Sequence, residues 1–404
     1  MMYLQQSLLI LASTALLGGL VRSFNSQSVA QPKLESSVAL APQAKTSTSV
    51  TKSWKTAQLL QSLSIDRQIY QGKYSYITAL AIAPDSTTLA IGSHDYERAG
   101  PINPRSTLSL WDLKTGQLTR LLFQGSAGES FSPSDQQPTA PALYGDIVDA
   151  IAFSPDGQSV AAGLSNKMIK VWSRQTGAEL YTLKGHTYAV ATIAFSPDGK
   201  TLVSSSPDAT IRVWNLQNHQ LIRTIPTHDQ KITVLTVSPD SKILAASGSS
   251  YRVKLWNLQT GQLVRTLAGQ TSAVNSIAFG ADHKTLSLFY KSCIPQLPDS
   301  QQVKSFQLWN WQTGKAISSN DGKDFQTFPT ASSIQNLSPD RQTTACSVPA
   351  ITSAHQSQVI LSQAKTGDVI HRFEPAEEPF TFSPDGQFFI NVNRFGGTAV
   401  QVWR

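Results

Sequence analysis

A short turn signal, Ser-Pro-Asp, recurs through most of this 404-residue chain and restricts what the chain can fold into. It starts at five positions, with variants at Ala83 and Gly280: Ser154, Ser196, Ser238, Ser338 and Ser383. An alternating apolar segment precedes the signal and another follows it, as in AVATIAF at 189–195 and KTLVSSS at 200–206. Alternation with a period of two predicts β-strands that are joined by tight turns.

A tryptophan closes a third apolar segment in six of these units, and Ser362 takes its place in another: Trp111, Trp172, Trp214, Trp256, Trp309 and Trp403. Successive markers are 61, 42, 42, 53, 53 and 41 residues apart. Thr-Gly turns then lead to a fourth segment, such as QLVRTL at 262–267. Four short strands in a unit of about 40–45 residues predict the blade of a β-propeller.

The sequence also predicts how the ring of blades closes. The chain ends at Trp403-Arg404, so the last unit lacks a fourth strand. The segment SIDRQIYQG at 64–72 is similar to the fourth-strand segment QLTRLLFQG at 117–125. We therefore predict an all-β, seven-bladed β-propeller over 64–404. Its blades are four-stranded and antiparallel, and an N-terminal strand completes the C-terminal blade.

The segment GHTYAVATIAFSPDGKTLVSSSPDATIRVWN at 185–215 resembles the WD repeat, and the resemblance extends over about 340 residues. It implies a degenerate, bacterial-type exported member of the WD-repeat family. In that family a buried, hydrogen-bonded tetrad stabilises the blade, which here implies a structural role for His186, Ser204, Asp208 and Trp214. The pattern is broken elsewhere: Ala246 and Ser250 take the Ser and Asp places in the Trp256 unit, and Ala162 and Asn166 take them in the Trp172 unit.

Insertions are confined to one edge of the predicted blades, where the second strand leads to the third and the fourth leads to the next blade. They are found at 93–106, 124–145, 290–303 and 347–357. Long loops on a rigid scaffold commonly carry function, and aromatic and arginine side chains are frequent interface anchors. We therefore predict partner binding by the following residues: Tyr96, Arg98, Arg105, Phe131, Tyr144, Tyr290 and Lys291.

The mouth of the central channel provides an alternative site. Its predicted ring of polar residues includes two carboxylates, Asp149 and Glu378, which are weak candidates for holding a metal ion or for acid–base chemistry. The alternative function is thus a propeller enzyme, or a small-ligand or metal binder, with its site at the channel mouth. Because no His or Cys joins these carboxylates, we expect no enzyme activity, no resident metal and no cofactor.

Composition narrows the class of partner. Charged residues make up 15% of the chain and the net charge is +7, which gives no indication of nucleic-acid binding. We expect a monomeric propeller that binds protein partners. Three arginines lie nine residues after a marker tryptophan and form either a basic rim or a layer over apolar outer strands: Arg120, Arg223 and Arg265.

The N-terminus contains an apolar run at 8–21, which is short for a membrane span and typical of a secretory signal. We predict a signal peptide or an N-terminal anchor over 1–30 and a flexible linker over 31–63. Export to the periplasm or the extracellular space is expected, with membrane anchoring as the alternative. In such a compartment the two cysteines, Cys293 and Cys346, either form a disulfide or remain free thiols.

Overall fold

Seven β-sheets make up the fold of this chain in the computed structural model. The structure describes residues 54–65, 75–95, 106–125, 146–228, 231–248, 250, 252–268, 273–280, 282–290, 306–317, 338, 342–348, 357–363, 369–393 and 398–404. These ranges contain twenty-seven strands and one turn of 3-10 helix at Trp54–Thr56, and every strand pair is antiparallel. The predicted all-β fold with seven blades is confirmed. Within the same ranges, no helix has the length and apolar character needed to cross a membrane.

Each of the first four blades consists of four consecutive strands, numbered along the chain. Blade 1 contains β2 (Ser75–Ile82), β3 (Thr88–Asp95), β4 (Ser106–Asp112) and β5 (Leu118–Gln124). Blade 2 contains β6 (Val148–Phe153), β7 (Ser159–Leu164), β8 (Met168–Ser173) and β9 (Glu179–Lys184). Blade 3 contains β10 (Thr192–Phe195), β11 (Thr201–Ser206), β12 (Thr210–Asn215) and β13 (Gln220–Pro226). Blade 4 contains β14 (Ile232–Val237), β15 (Ile243–Gly248), β16 (Val253–Asn257) and β17 (Leu263–Leu267).

The last three blades follow the same order. Blade 5 contains β18 (Val274–Phe279), β19 (Thr285–Tyr290), β20 (Phe306–Asn310) and β21 (Lys315–Ile317). Blade 6 has three strands in the described ranges: β22 (Thr343–Val348), β23 (Gln358–Gln363) and β24 (Val369–Phe373). Blade 7 contains β25 (Glu377–Phe382), β26 (Phe389–Asn393) and β27 (Ala399–Trp403), together with β1 (Leu59–Ser64) from the start of the propeller.

The Ser-Pro-Asp signals form tight turns between the first and second strands of a blade. Ser154 Oγ donates a hydrogen bond to Asp156 Oδ1 at 2.5 Å, and Ser196 Oγ donates to Asp198 Oδ1 at 2.6 Å. The aspartate oxygen in turn accepts the backbone N–H two residues later. Gly157 follows with a φ of 68°, a conformation that glycine adopts without steric cost. These local bonds hold the turns at one length.

The apolar core is divided among the spaces between neighbouring blades. Between blades 3 and 4, for example, Val203 and Ile211 pack with Leu244 and Trp256 in one buried cluster. Corresponding clusters lie between blades 1 and 2, blades 2 and 3, and blades 4 and 5. Because each twisted sheet is apolar on both faces, it is buried only when a blade stands on each side of it.

Closure of the ring by an N-terminal strand is confirmed, but the strand predicted for this role was wrong. β1 pairs with β27 in the register Leu63↔Val400 and Ser64↔Ala399, so the closing strand begins five residues before the predicted segment at 64–72. Leu63 and Ile65 are buried with residues of blades 1 and 7. The pattern of Leu59–Ser64 is too short to separate helix from strand, and the open edge of β27 decides the outcome. The described propeller thus starts inside the predicted linker.

The antiparallel order gives the propeller two distinct edges. The turn face carries the turns between first and second strands and between third and fourth strands, such as 154–157 and 174–177. The loop face carries the connections from second to third strands and from one blade to the next. The strands that flank the four insertions all end on the loop face.

Candidate functional site

The structure brings His186, Ser204, Asp208 and Trp214 together in blade 3, in a set that extends from the loop face into the sheet. His186 lies in the connection that enters this blade, Ser204 in β11, Asp208 in the turn after β11, and Trp214 in β12. His186 Nδ1 is 2.8 Å from Asp208 Oδ2, and His186 Nε2 is 2.8 Å from Ser204 Oγ. Trp214 Nε1 donates to the same Ser204 oxygen at 2.9 Å. One continuous set of hydrogen bonds therefore links three segments of the blade.

Three members of this tetrad have the residue types of a Ser-His-Asp triad, but their burial argues against catalysis. Ser204 is completely buried, so its oxygen has no approach for a substrate. Burial lowers the pKa of His186, and the bond to Asp208 only partly opposes that shift. The neutral imidazole then donates from Nδ1 to Asp208 and accepts the Ser204 hydroxyl at Nε2. All polar groups are satisfied within the tetrad, as expected of a structural element.

Other blades satisfy the marker tryptophan in different ways that were not predicted. In blade 7, Trp403 Nε1 donates to Asn391 Oδ1 at 2.6 Å, and Asn391 holds the place that Ser204 has in blade 3. In blade 1, Trp111 Nε1 donates to Ser109 Oγ at 2.8 Å. Sequence reasoning missed both bonds because Asn391 differs in residue type from the family pattern and Ser109 differs in position.

The tetrad also holds the loop that follows His186. The Thr187 N–H donates to Asp208 Oδ2 at 3.0 Å, and the Val190 N–H donates to the Leu164 carbonyl of blade 2 at 3.1 Å. Between these two fixed points the side chain of Tyr188 is 58% exposed. Tyr188 was not among the predicted binding residues, although its position two residues after the tetrad histidine is visible in the sequence. The structure adds it as an exposed aromatic ring on a held loop of the loop face.

The residues predicted to bind a partner lie almost entirely outside the described ranges: Tyr96, Arg98, Arg105, Phe131, Tyr144 and Lys291. Tyr290 is the last residue of β19, but its side chain is not described. Their role therefore stays a prediction. Cys293 likewise falls outside these ranges, and of Cys346 only the backbone in β22 is described.

A cavity of about 590 Å³ lies along the centre of the ring. Its wall at the loop face includes Thr78, Asp149, Thr233 and Asn275. Burial raises the pKa of Asp149 to about 6. The side chain of the second predicted carboxylate, Glu378, is not described, and the described residues contain no group of three potential metal ligands. Among the described lining residues, Asp149 is thus the one carboxyl group.

The arginines nine residues after the marker tryptophans connect neighbouring blades. Arg120 of blade 1 donates to the carbonyls of Gln175 and Thr176 in the turn of blade 2, at 2.8 and 2.9 Å. Arg223 and Arg265 make the same kind of bond to the turns of blades 4 and 5. Their guanidinium groups are therefore engaged with turn carbonyls. This bonding role differs from both predicted roles, which were a basic rim for anionic partners and a layer over apolar outer strands.

The geometry agrees with an independent comparison of sequence. The profile of the family described as "WD domain, G-beta repeat" matches residues 142–173, 177–215 and 219–257, which fall in blades 2, 3 and 4. The chain is a seven-bladed β-propeller that contains three WD repeats. The three matched repeats of this WD-repeat propeller include its complete tetrad, and the degenerate blades complete the same ring of seven sheets.

Curated relatives match only parts of the WD-repeat propeller. The U3 small nucleolar RNA-interacting protein 2 of Mus musculus is 26% identical over 126 residues, which cover 31% of this chain and 23% of that protein. The nuclear distribution protein PAC1 of Arthroderma otae is 38% identical over 63 residues, 14% of each chain. The probable serine/threonine-protein kinase PkwA of Thermomonospora curvata is 53% identical over 38 residues, 9% of this chain and 5% of that protein. The matched segments therefore span less than a quarter of each relative.

Proposed function

We propose that this WD-repeat propeller is a non-catalytic scaffold that binds protein partners through its loop face. The observation that carries the proposal is the difference between the two faces. The turn face is built from short, internally hydrogen-bonded turns that repeat from blade to blade. The insertions, by contrast, all arise from strand ends on the loop face. A rigid ring with variable loops on one edge is an architecture suited to recognition.

The hydrogen bonds and surroundings of the buried polar side chains support a scaffold rather than an enzyme. Ser204 and His186, the described residues most similar to catalytic machinery, are used to hold blade 3 together. The described residues around Asp149 contain no group of three potential metal ligands. The function therefore rests on surface complementarity.

Quantitative capture of partners tests the proposal. The full chain would be compared with the triple variant Tyr96→Ala, Arg98→Ala, Arg105→Ala and with a control, Lys114→Ala, Lys200→Ala, Lys284→Ala, on the turn face. We expect the loop-face variant to lose the bound proteins and the control to retain them, while both variants keep the melting temperature. Retention by the loop-face variant together with loss by the control would reverse the assignment of the faces.

Asp149 is the observation that favours a second candidate, a small-ligand or metal site at the channel mouth. The same experiment separates the two candidates when it includes Asp149→Asn and a titration with divalent metal ions. On the scaffold proposal, Asp149→Asn captures the same partners as the wild type. The channel site would be favoured instead if the wild type binds metal saturably, Asp149→Asn abolishes that binding, and the loop-face variant captures the same partners as the wild type.

We further propose that the protein is exported and that the propeller is monomeric. The apolar run at 8–21 supports export. N-terminal sequencing of the protein recovered from the producing cell distinguishes a cleaved signal near residue 30 from an uncleaved anchor. Light scattering on the same material measures the oligomeric state, and a mass above one chain would contradict the monomer.

A further inference from the structure

Exposed cations cluster among the described residues on the loop face of blades 2 to 4. Four exposed cations surround the connections there: Lys167, Lys184, Lys231 and Arg252. Lys167 directly precedes Met168, which pairs with Lys184, so these two lie at adjacent strand ends. Lys231 precedes β14 and Arg252 precedes β16, so both lie at the same edge of blade 4. Tyr188 is exposed on the connection between blades 2 and 3.

The described carboxylates on this part of the loop face are hydrogen-bonded within the protein or face the channel. Asp208 belongs to the buried tetrad, and Asp146 accepts a hydrogen bond from Asn166 at 2.6 Å. Asp149 faces the channel cavity. Among the described residues, none of the four cations forms an ion pair, and no exposed acidic side chain lies beside them on this edge.

The turn face has the opposite arrangement. Four of its lysines, in blades 1, 3, 4 and 5, follow an aspartate by two residues, in the pairs Asp112/Lys114, Asp198/Lys200, Asp240/Lys242 and Asp282/Lys284. Among the described residues, both signs of charge thus occur side by side on the turn face, whereas exposed cations prevail on the loop face of blades 2 to 4. A surface of one sign attracts a partner of the other sign and orients its approach.

We propose that the loop face of blades 2 to 4 binds an acidic peptide segment of a protein partner, with Tyr188 as its aromatic anchor. This inference rests on the proposed function and names the partner class for the same face. Lys167, Lys184, Lys231 and Arg252 supply the charge that carboxylates recognise. Tyr188 supplies apolar contact area on a loop that is already held by Asp208, so the loop loses little conformational entropy when a partner binds.

An acidic peptide fits this surface better than a nucleic acid does. Proteins that bind single-stranded nucleic acid stack successive bases on several aromatic side chains along a basic groove. The described rim of blades 2 to 4 exposes one tyrosine, Tyr188, and so offers no series of aromatic rings on which successive bases could stack.

The test measures fluorescence anisotropy of a labelled Glu- and Asp-rich peptide titrated with the full chain. A peptide of the same length with Gln and Asn in their place, and a single-stranded oligonucleotide, serve as comparison probes. The loop-face variant is Lys167→Glu, Lys184→Glu, Lys231→Glu, Arg252→Glu. Its matched control is Lys114→Glu, Lys200→Glu, Lys242→Glu, Lys284→Glu, which changes the net charge by the same amount on the turn face.

We expect the acidic peptide to bind the wild type and the neutral peptide not to bind. The loop-face variant should weaken binding by at least about tenfold, and the control by no more than about twofold. Tyr188→Ala, which leaves the charge unchanged, should weaken it by about threefold to tenfold. Melting curves verify folding, and Lys→Gln and Arg→Gln versions replace any variant that does not fold.

Several results would overturn the inference. If the two charge variants weaken peptide binding equally, the binding reflects net charge and not the loop face. If the oligonucleotide binds more tightly than the acidic peptide, the surface is assigned to nucleic acid. Absence of peptide binding while the Tyr96, Arg98, Arg105 variant still loses its partners would remove this inference and leave the proposed scaffold function in place.

Discussion

Tyr181 of blade 2 stacks on His219 of blade 3, with ring centroids 3.8 Å apart and ring planes inclined by 19°. Tyr181 lies nine residues after Trp172, where blades 1, 3 and 4 carry the arginines that reach the next turn. His219 lies five residues after Trp214, where the corresponding turns carry glycine, and it has a φ of 60°. Both partners of this one contact therefore depart from the pattern of the other blades.

The two departures depend on each other for a steric reason. A Cβ added at Gly177 would lie 2.5 Å from Arg120 Cδ, and one added at Gly261 would lie 2.5 Å from Arg223 Cδ. The turn can carry a side chain only where the preceding blade has no such arginine. Tyr181 does not fill the space that the arginines fill, and its ring offers a flat surface on which His219 stacks.

A double-mutant cycle at this contact tests the dependence. We expect Tyr181→Arg alone to destabilise the protein by about 1 kcal/mol, because the His219 ring occupies the path of the arginine. Adding His219→Gly should recover most of that loss by restoring the arginine-to-carbonyl bond and relieving the left-handed conformation. Chemical denaturation measures all four proteins, and strictly additive effects would show that the two positions are independent.

Asp208→Ala should lower the melting temperature of the propeller. The change leaves the buried His186 without its acceptor and releases the Thr187 N–H, at a cost of about 1–3 kcal/mol. Ser250→Ala is the matched control, because Ser250 takes the aspartate place in blade 4 and its buried oxygen has no hydrogen-bond partner. Calorimetry should find the control close to the wild type. An unchanged transition for Asp208→Ala would contradict the stabilising role of the tetrad.

Truncation at the N-terminus should separate the closing strand from what precedes it. Removal of residues 1–53 leaves β1 intact, and we expect a folded protein with an unchanged melting temperature. Removal of residues 1–65 exposes the edge of β27 and the apolar surface that Leu63 and Ile65 cover. We expect aggregation or a much lower melting temperature, measured by size-exclusion chromatography and calorimetry. Equal behaviour of both truncations would contradict closure by β1.

Asp149→Asn should stabilise the protein at neutral pH and not in acid. Burial raises the pKa of Asp149 from 3.8 to about 6, so the folded state favours the protonated form. The stability that the folded state gains by binding this proton is present below about pH 4 and is lost as the pH rises through 6. Asparagine never ionises, so the variant should exceed the wild type by on the order of 1 kcal/mol at pH 7.5. Melting curves at pH 4 and pH 7.5 measure the difference, and an equal effect at both values would exclude titration of Asp149 as its cause.

The sequence was sufficient for the architecture because its signals are local and repeated. Ser154 and Asp156 identify a turn by themselves, since the bond between them joins residues two apart. The four members of the tetrad followed from the resemblance to the WD repeat, and the structure brings them together because β11 and β12 are consecutive, paired strands.

The features that sequence reasoning missed depend on pairing between distant segments. Leu59–Ser64 became a strand because β27 offered an open edge, which no local pattern encodes. Arg223 has its acceptor 36 residues away, in the turn of the next blade. The charge on the loop face is also invisible in the total of +7, because it arises from which edge each lysine occupies.

Pairing of β1 with β27 also determines when the ring can close during synthesis of the chain. The two strands are separated by more than three hundred residues, so β1 cannot complete blade 7 until β27 has left the ribosome. Blades 1 to 5 can collapse against one another during synthesis, each on the one before it. Throughout that interval the apolar face of blade 1 that packs against blade 7 lacks this neighbour, which leaves the unfinished ring prone to aggregation until its two ends meet.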